Sequence, residues 1–335
     1  MIETVLGPID ASTLGPTCMH DHVLADSSTL QRAGASPAPA DETVAIENLG
    51  YLRWNMLAFA DNLRLDDPHL AVEEVGNAVS AGQFALVESS SLGLGPDHAG
   101  LPEIARRSGM SIVSSYGTYI PRTVPDSVAE LTEQQLEGLF RRTLHDAVPG
   151  TEFRAGMLGI MGTTDAFEER ERAQLRAAAR AASDAGCAVS VRLDQDTRWG
   201  LDVLALMAAE GLPASRVIFT NADEYMDAGY WDELADAGAV LEMCFGTEAM
   251  HLGRLDNPTD HERIPYFLDF LETHPHSRHV LGQSVWTKAQ LRAFGGYGYA
   301  HLMATIAPVL VDRGLSAERV ERMLVDEPRR LLDRG

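Results

Sequence analysis

The chain almost lacks lysine. Lys288 is the only one among 335 residues, and every other fixed side-chain cation is an arginine. Positive charge is scarce altogether: 27 basic residues face 49 acidic ones, for a net charge of −22. Such a balance excludes the clustered Lys and Arg that a nucleic-acid partner needs. It also repels anions, unless the pocket itself carries local positive charge. Cysteine is rare. Cys18, Cys187 and Cys244 sit in apolar runs without CxxC spacing, which excludes a disulfide frame and a zinc knuckle. No apolar run approaches the ~18 residues of a membrane span. The start, MIETVLGPID, has neither a basic region nor a long apolar core, so no signal peptide is expected. A cytoplasmic protein with no membrane and no nucleic-acid partner is the expectation.

What is present is an ordinary globular composition, 45% apolar and 23% charged. Short apolar runs alternate with amphipathic helical patterns. Eight runs read as strands: PTCMHDHV, QFALVESS, MSIVSSYG, AGMLGIM, CAVSVRL, RVIFTN, AVLEMCF and RHVLGQS. Seven helical patterns lie between them, several closed by Gly. Strand and helix alternating in this way predict an α/β fold, a (β/α)8 TIM barrel formed by a single domain over residues 1–335. Two stretches exceed ordinary loops, near 27–66 and 245–262. Both follow strands, so both are placed to roof a site at the strand ends.

In such barrels the chemistry lies at the C-terminal ends of the strands. The first strand ends CMHDHV. Alternation puts His20 and His22 on one face and Asp21 on the other, and two imidazoles at i, i+2 suit a metal or proton transfer. The second strand ends at Glu88, a ligand, base or acceptor. Tyr116 and Tyr119 follow the third and read as lining. The fourth, AGMLGIMG, offers no ionisable side chain. The fifth ends in Arg192, with Asp194 two residues on; the sixth ends in Asn221; the seventh carries Glu242 and Cys244; the eighth ends in Gln283 and Ser284.

These pieces resemble the phosphotriesterase family of the amidohydrolase superfamily. The likeness is carried by TVLGPIDASTLGPTCMHDHV, RAGMLGIMGTT, GLPASRVIFTNADE and LGQSVWTKAQLRAFGGYGYAHLMATIAPVL, and VDEPRRLL closes it. The resemblance implies a hydrolase with two divalent metals. Their ligands would be both histidines of the first strand, a carboxylated lysine or a glutamate on the fourth, histidines on the fifth and sixth and an aspartate on the eighth. Here His20 and His22 match. The other positions fall on Gly159 or Ile160, Arg192, Asn221 and Ser284, so the metal site is degenerate. A guanidinium about 4 Å from a dication costs ~8 kcal/mol at an effective dielectric of 20. Arg192 therefore reads as a replacement for the metal charge, unless it merely pairs with Asp194, Glu88 or Glu242.

The expectation is an enzyme without a metal cofactor that performs acid/base chemistry on a small carbonyl- or acid-bearing substrate: hydrolysis, elimination or cyclisation. His20, His22 and Arg192 are its candidate catalytic residues. Asn221, Ser284, Glu88, Tyr116 and Glu242 are candidate substrate contacts. One alternative is a hydrolase with a single divalent metal such as zinc, held by His20, His22 and a nearby carboxylate. Another is a non-catalytic ligand-binding barrel. Cys244 reads as an inert buried thiol and Lys288 as a residue outside the chemistry. By resemblance, a homodimer is expected.

Overall fold

The computed structural model describes residues 1–335. All eight expected strands form: β1 Thr17–Asp21, β2 Ala85–Glu88, β3 Ser111–Tyr116, β4 Met157–Gly162, β5 Val189–Arg192, β6 Val217–Phe219, β7 Val240–Cys244 and β8 Arg278–Gly282. They pair in parallel in chain order. The sheet closes where the Ser284 amide donates to the His20 carbonyl at 2.8 Å and the His22 amide to the Val285 carbonyl at 3.0 Å. The chain is a (β/α)8 barrel.

Helices follow the strands: α1 Pro68–Ser80, α2 Leu101–Ser108, α3 Glu133–His145, α4 Glu169–Ala185, α5 Gly200–Ala209, α6 Ala228–Asp236, α7 Asp260–Thr273 and α8 Ala307–Asp312. Their starts are chemically marked. Asp67 accepts from the His69 and Leu70 amides ahead of α1, and Thr132 forms a capping box with Gln135 ahead of α3. That second cap leaves Asp126–Ala129 as a separate turn ahead of α3. The helices after β8 escaped the sequence patterns. Pro308 and Pro328 interrupt them, and each is preceded by a π-type turn, Leu302–Ile306 and Arg322–Asp326. No helix is long and apolar enough to cross a membrane.

Alternation sorts the core. Met19, Val87, Val113, Met157, Ile218, Val240 and Val280 fill the lower barrel together with Ile2, Leu14 and Leu331, which plug its base. The intervening Leu86, Ile112, Leu158, Val191, Phe219, Leu241 and Leu281 pack outward in the helix layer. Two bulges break this regularity. On β1, Cys18 pairs with Leu86 and Asp21 with Glu88, three residues against two. On β4, Leu158 pairs with Val189 and Met161 with Val191. Each bulge shifts the phase of the strand end.

Both expected insertions form one roof. The Met56 amide donates to the Met250 carbonyl at 3.1 Å, the Leu252 amide to the Trp54 carbonyl at 3.2 Å and the Leu57 amide to His251 Nδ1 at 3.2 Å. Met56, Leu57, Leu63 and Ala249 share a small apolar cluster beneath it. Lys288 pins the β8 loop to the first insertion through Asp61, Nζ to Oδ1 at 2.6 Å.

Candidate active site

A cavity of about 450 Å³ opens at the C-terminal ends of the strands, under that roof. His20, His22, Arg192, Asn221 and Ser284 all line it. The β1 bulge decides the first two. Met19 already faces inward, so a regular strand would turn His20 outward. The extra residue restores His20 and His22 to the interior and sends Asp21 out, where it accepts from the Val285 amide at 3.0 Å.

The imidazoles are held from behind. His20 Nδ1 lies 3.1 Å from Glu242 Oε2, and His22 Nδ1 lies 3.0 Å from Ser90 Oγ. Their Nε2 atoms meet at 3.2 Å. Gly282 makes room for this arrangement: a Cβ there would stand 2.5 Å from Glu242 Oε1 and 2.9 Å from His20 Cβ. Burial pushes His20 down to about 3 and His22 well below its ordinary value, so both rings are neutral at physiological pH. Burial likewise pushes Glu242 up to about 8. The His20–Glu242 contact is therefore a neutral hydrogen bond rather than an ion pair, with the protonated carboxyl donating to Nδ1.

Arg192 points into the cavity from the end of β5, and its Nη2 donates to Glu224. Desolvation opposes its charge, but Glu224, Tyr119 and Asp194 outweigh that and hold the guanidinium charged. Glu224 is the centre of a half-buried cluster. It also accepts from Gln195 Nε2 at 2.6 Å, Asn257 Nδ2 at 3.1 Å and Asn221 Nδ2 at 3.3 Å. None of the three carboxylates expected to pair with Arg192 does so. Glu224 lies five residues past the end of β6, three after Asn221 in TNADE, and only its spacing from Asn221 signals it.

Three candidate contacts lie outside the lining. Tyr116 faces the helix layer, its ring 5.6 Å from that of His98, because it stands on the outer face of β3; Tyr119 lines the cavity instead. Glu88 follows inward-facing Val87 and so turns away. It accepts from the Val23 amide at 3.4 Å and the Ser90 amide at 3.3 Å, and burial pushes it up to about 7. Glu242 points inward but stands behind His20. Cys244 Sγ is 3.6 Å from His20 Nδ1, and burial holds the thiol well above its ordinary value, which suits an inert group. The reading of the sequence missed Ser90, Glu224 and three arginines of the mouth, Arg32, Arg122 and Arg254.

The sequence pattern of the phosphotriesterase family matches residues 1–332. The chain belongs to the phosphotriesterase family. An N-acetyltaurine hydrolase from Salmo salar is 29% identical over 342 residues, covering 99% of this chain and 97% of the relative. The crystal structure of a resiniferatoxin-binding protein from Rhodobacter sphaeroides superposes with a TM-score of 0.94 at 30% identity, covering 99% of this chain and 94% of that one. The phosphotriesterase homology protein of Escherichia coli, complexed with phosphate in its active site, shares the fold at a TM-score of 0.78 and 23% identity, over 97% of this chain and 100% of that one.

A binuclear metal centre of the kind that family implies does not fit these residues. On β4 the inward side chain is that of Ile160, since a Cβ on Gly159 would lie 2.0 Å from Ser190 Oγ. No carboxylate bridges from that strand. Arg192 brings a fixed cation where a ligand is needed, and Asn221 and Ser284 offer only neutral oxygen.

Proposed function

We propose that the chain is a hydrolase that directs a water molecule at the carbonyl carbon of a small amide or ester held in the cavity, the new C–O bond replacing the C–N or C–O bond to the leaving amine or alcohol and the water proton passing through the imidazoles to that leaving group, and that it works without a binuclear centre. The observation that carries this reading is the guanidinium of Arg192, kept charged by Glu224, on the same cavity as the Nε2 atoms of His20 and His22. Arg192 spends Nη2 on Glu224; its other N–H groups are free to bind the carbonyl oxygen and stabilise the charge that develops there. His20 has Glu242 at one ring nitrogen and His22 at the other. It can accept a proton on one side while releasing one on the other, and so move protons without holding charge in a site that disfavours it. Asn221 and Ser284 supply hydrogen bonds to the bound substrate. The N-acetyltaurine hydrolase relatives support amide cleavage as the reaction.

Two other readings each have an observation in their favour. A separation of 3.2 Å between the Nε2 atoms matches two donors at ~2.1 Å from a single divalent cation, the rebuilt mononuclear site. The likeness to a resiniferatoxin-binding protein favours a barrel that binds without turnover. One experiment separates them: hydrolysis of N-acetyltaurine and of simple lactones by protein purified through chelator, with metal content measured alongside. Turnover at substoichiometric metal, lost in Arg192→Met and His22→Ala, is the expected result. Turnover that appears only with one bound metal per chain rejects metal independence. Tight ligand binding with no turnover of any amide, ester or lactone rejects the enzyme.

A further inference from the structure

The mouth of the cavity carries three arginines from three separate segments. Arg32 comes from the first insertion, Arg122 from the loop after β3 and Arg254 from the second insertion, and all three line the cavity. None of them forms an ion pair. The only side-chain hydrogen bond of Arg32 runs to the carbonyl of its neighbour Gln31, at 3.3 Å. They are close enough to act on one another: after burial, Arg32 and Arg254 are the main causes that lower the proton affinity of Arg122. Three like charges that converge without a counter-charge repel one another, and here they do so on a chain whose 49 carboxylates leave all three unpaired.

The acidic members of the same lining do not fill that role. Glu224 is engaged by Arg192, and Asp194 acts on Arg192 and caps the Asp196 amide at 3.1 Å. Asp165 and Asp196 rise from the loops after β4 and β5 and pair with none of the three. The three arginines stand on the insertions and the loop after β3, whereas His20, His22 and Arg192 stand at strand ends.

We propose that Arg32, Arg122 and Arg254 form a subsite for a negatively charged group of the substrate, a sulfonate, carboxylate or phosphate, at the end remote from the bond that is cleaved. The proposal rests on the reading of this cavity as the reacting site. It leaves Arg192 to the reacting carbonyl. It also explains how an acidic protein admits an anion: field lines from the three guanidinium groups focus at the entrance. Because Arg32 and Arg254 belong to the two insertions, the roof becomes the element that selects substrates.

The test is calorimetric and needs no turnover. Binding of N-acetyltaurine, N-acetyl-β-alanine and neutral N-acetylethanolamine is measured with the intact chain, at low and at high salt. Both anions are expected to bind at least about tenfold tighter than the neutral compound, with the preference shrinking as salt rises. The triple variant R32Q/R122Q/R254Q is expected to bind all three like the neutral compound, and each single variant to lose about threefold for the anions alone. All three residues are exposed, so a thermal melt close to that of the parent is expected for each variant. A neutral analogue that binds as well as the anions overturns the proposal, as does a triple variant that keeps the preference, or no binding by any of the three at millimolar concentration. An anion preference without hydrolysis would sink the proposed function and leave this subsite standing; hydrolysis without the preference would do the reverse.

Discussion

Replacement of Glu224 by glutamine tests the central electrostatic claim. Glu224 accepts four hydrogen bonds, from Arg192, Gln195, Asn221 and Asn257. A glutamine turns one acceptor into a donor and leaves the guanidinium without its counter-charge. Removing one partner of a buried pair costs about 3–5 kcal/mol. Arg192 keeps 22% of its side chain open to the cavity, so water offsets part of the loss, and about 2–3 kcal/mol is expected. Across 335 residues the unfolding entropy is about 0.7 kcal/mol/K, so the melting temperature should fall by roughly 3–4 °C. The decisive form is a double-mutant cycle with Arg192→Met, read by calorimetric melts. The pair should be coupled by at least about 1.5 kcal/mol, with the double variant more stable than the sum of the singles implies. Additive effects within about 0.5 kcal/mol would mean that Glu224 does not hold Arg192, and the account of a neutralised fixed cation would fall.

Other outcomes follow from neighbouring features. Glu242 and Glu88 bind protons more tightly folded, at about 8 and about 7, than in the unfolded chain. The native state therefore retains protons that the unfolded chain has released, while the neutral buried His20 and His22 act in the opposite sense below about 6.5, so the decline in stability should emerge as pH rises from about 6.5 to about 8. Glu242→Gln should flatten that decline in pH-dependent melts; an unchanged slope counts against the assigned protonation. Lys288→Met should cost about 1 kcal/mol by releasing Asp61 while leaving turnover within a few-fold; loss of activity together with borohydride trapping of substrate would show that the amine is chemical. Gly159→Ala places a methyl 2.0 Å from Ser190 Oγ and 2.6 Å from the Ser190 carbonyl oxygen, at a backbone φ of +126°. It should cost about 2–4 kcal/mol or prevent folding, and a melt equal to that of the parent would refute the described packing of β4 against β5.

Much of this protein is written locally. Eight apolar runs with helical patterns between them determine the barrel, because period 2 and period 3.6 are properties of neighbouring residues. The strand-end rule then brings His20, His22, Arg192, Asn221 and Ser284 to one rim, and all five line the cavity. The departures from the family's ligand pattern are equally local, being side chains at aligned positions. The remainder depends on contacts between residues far apart in the chain. The bulges of β1 and β4 set which side chains face inward, and they arise from register against the neighbouring strand, which no single strand encodes. Glu224 was overlooked as the partner of Arg192 because it reaches from the loop after β6 across to the end of β5, and Arg32, Arg122 and Arg254 were overlooked as a cluster because their segments, far apart in the chain, meet only over the folded barrel. Even the charge state of the histidines belongs to the fold. The residues determine that imidazoles are present; burial, which is a property of the assembled interior, keeps them neutral far below the pH at which a free imidazole would charge.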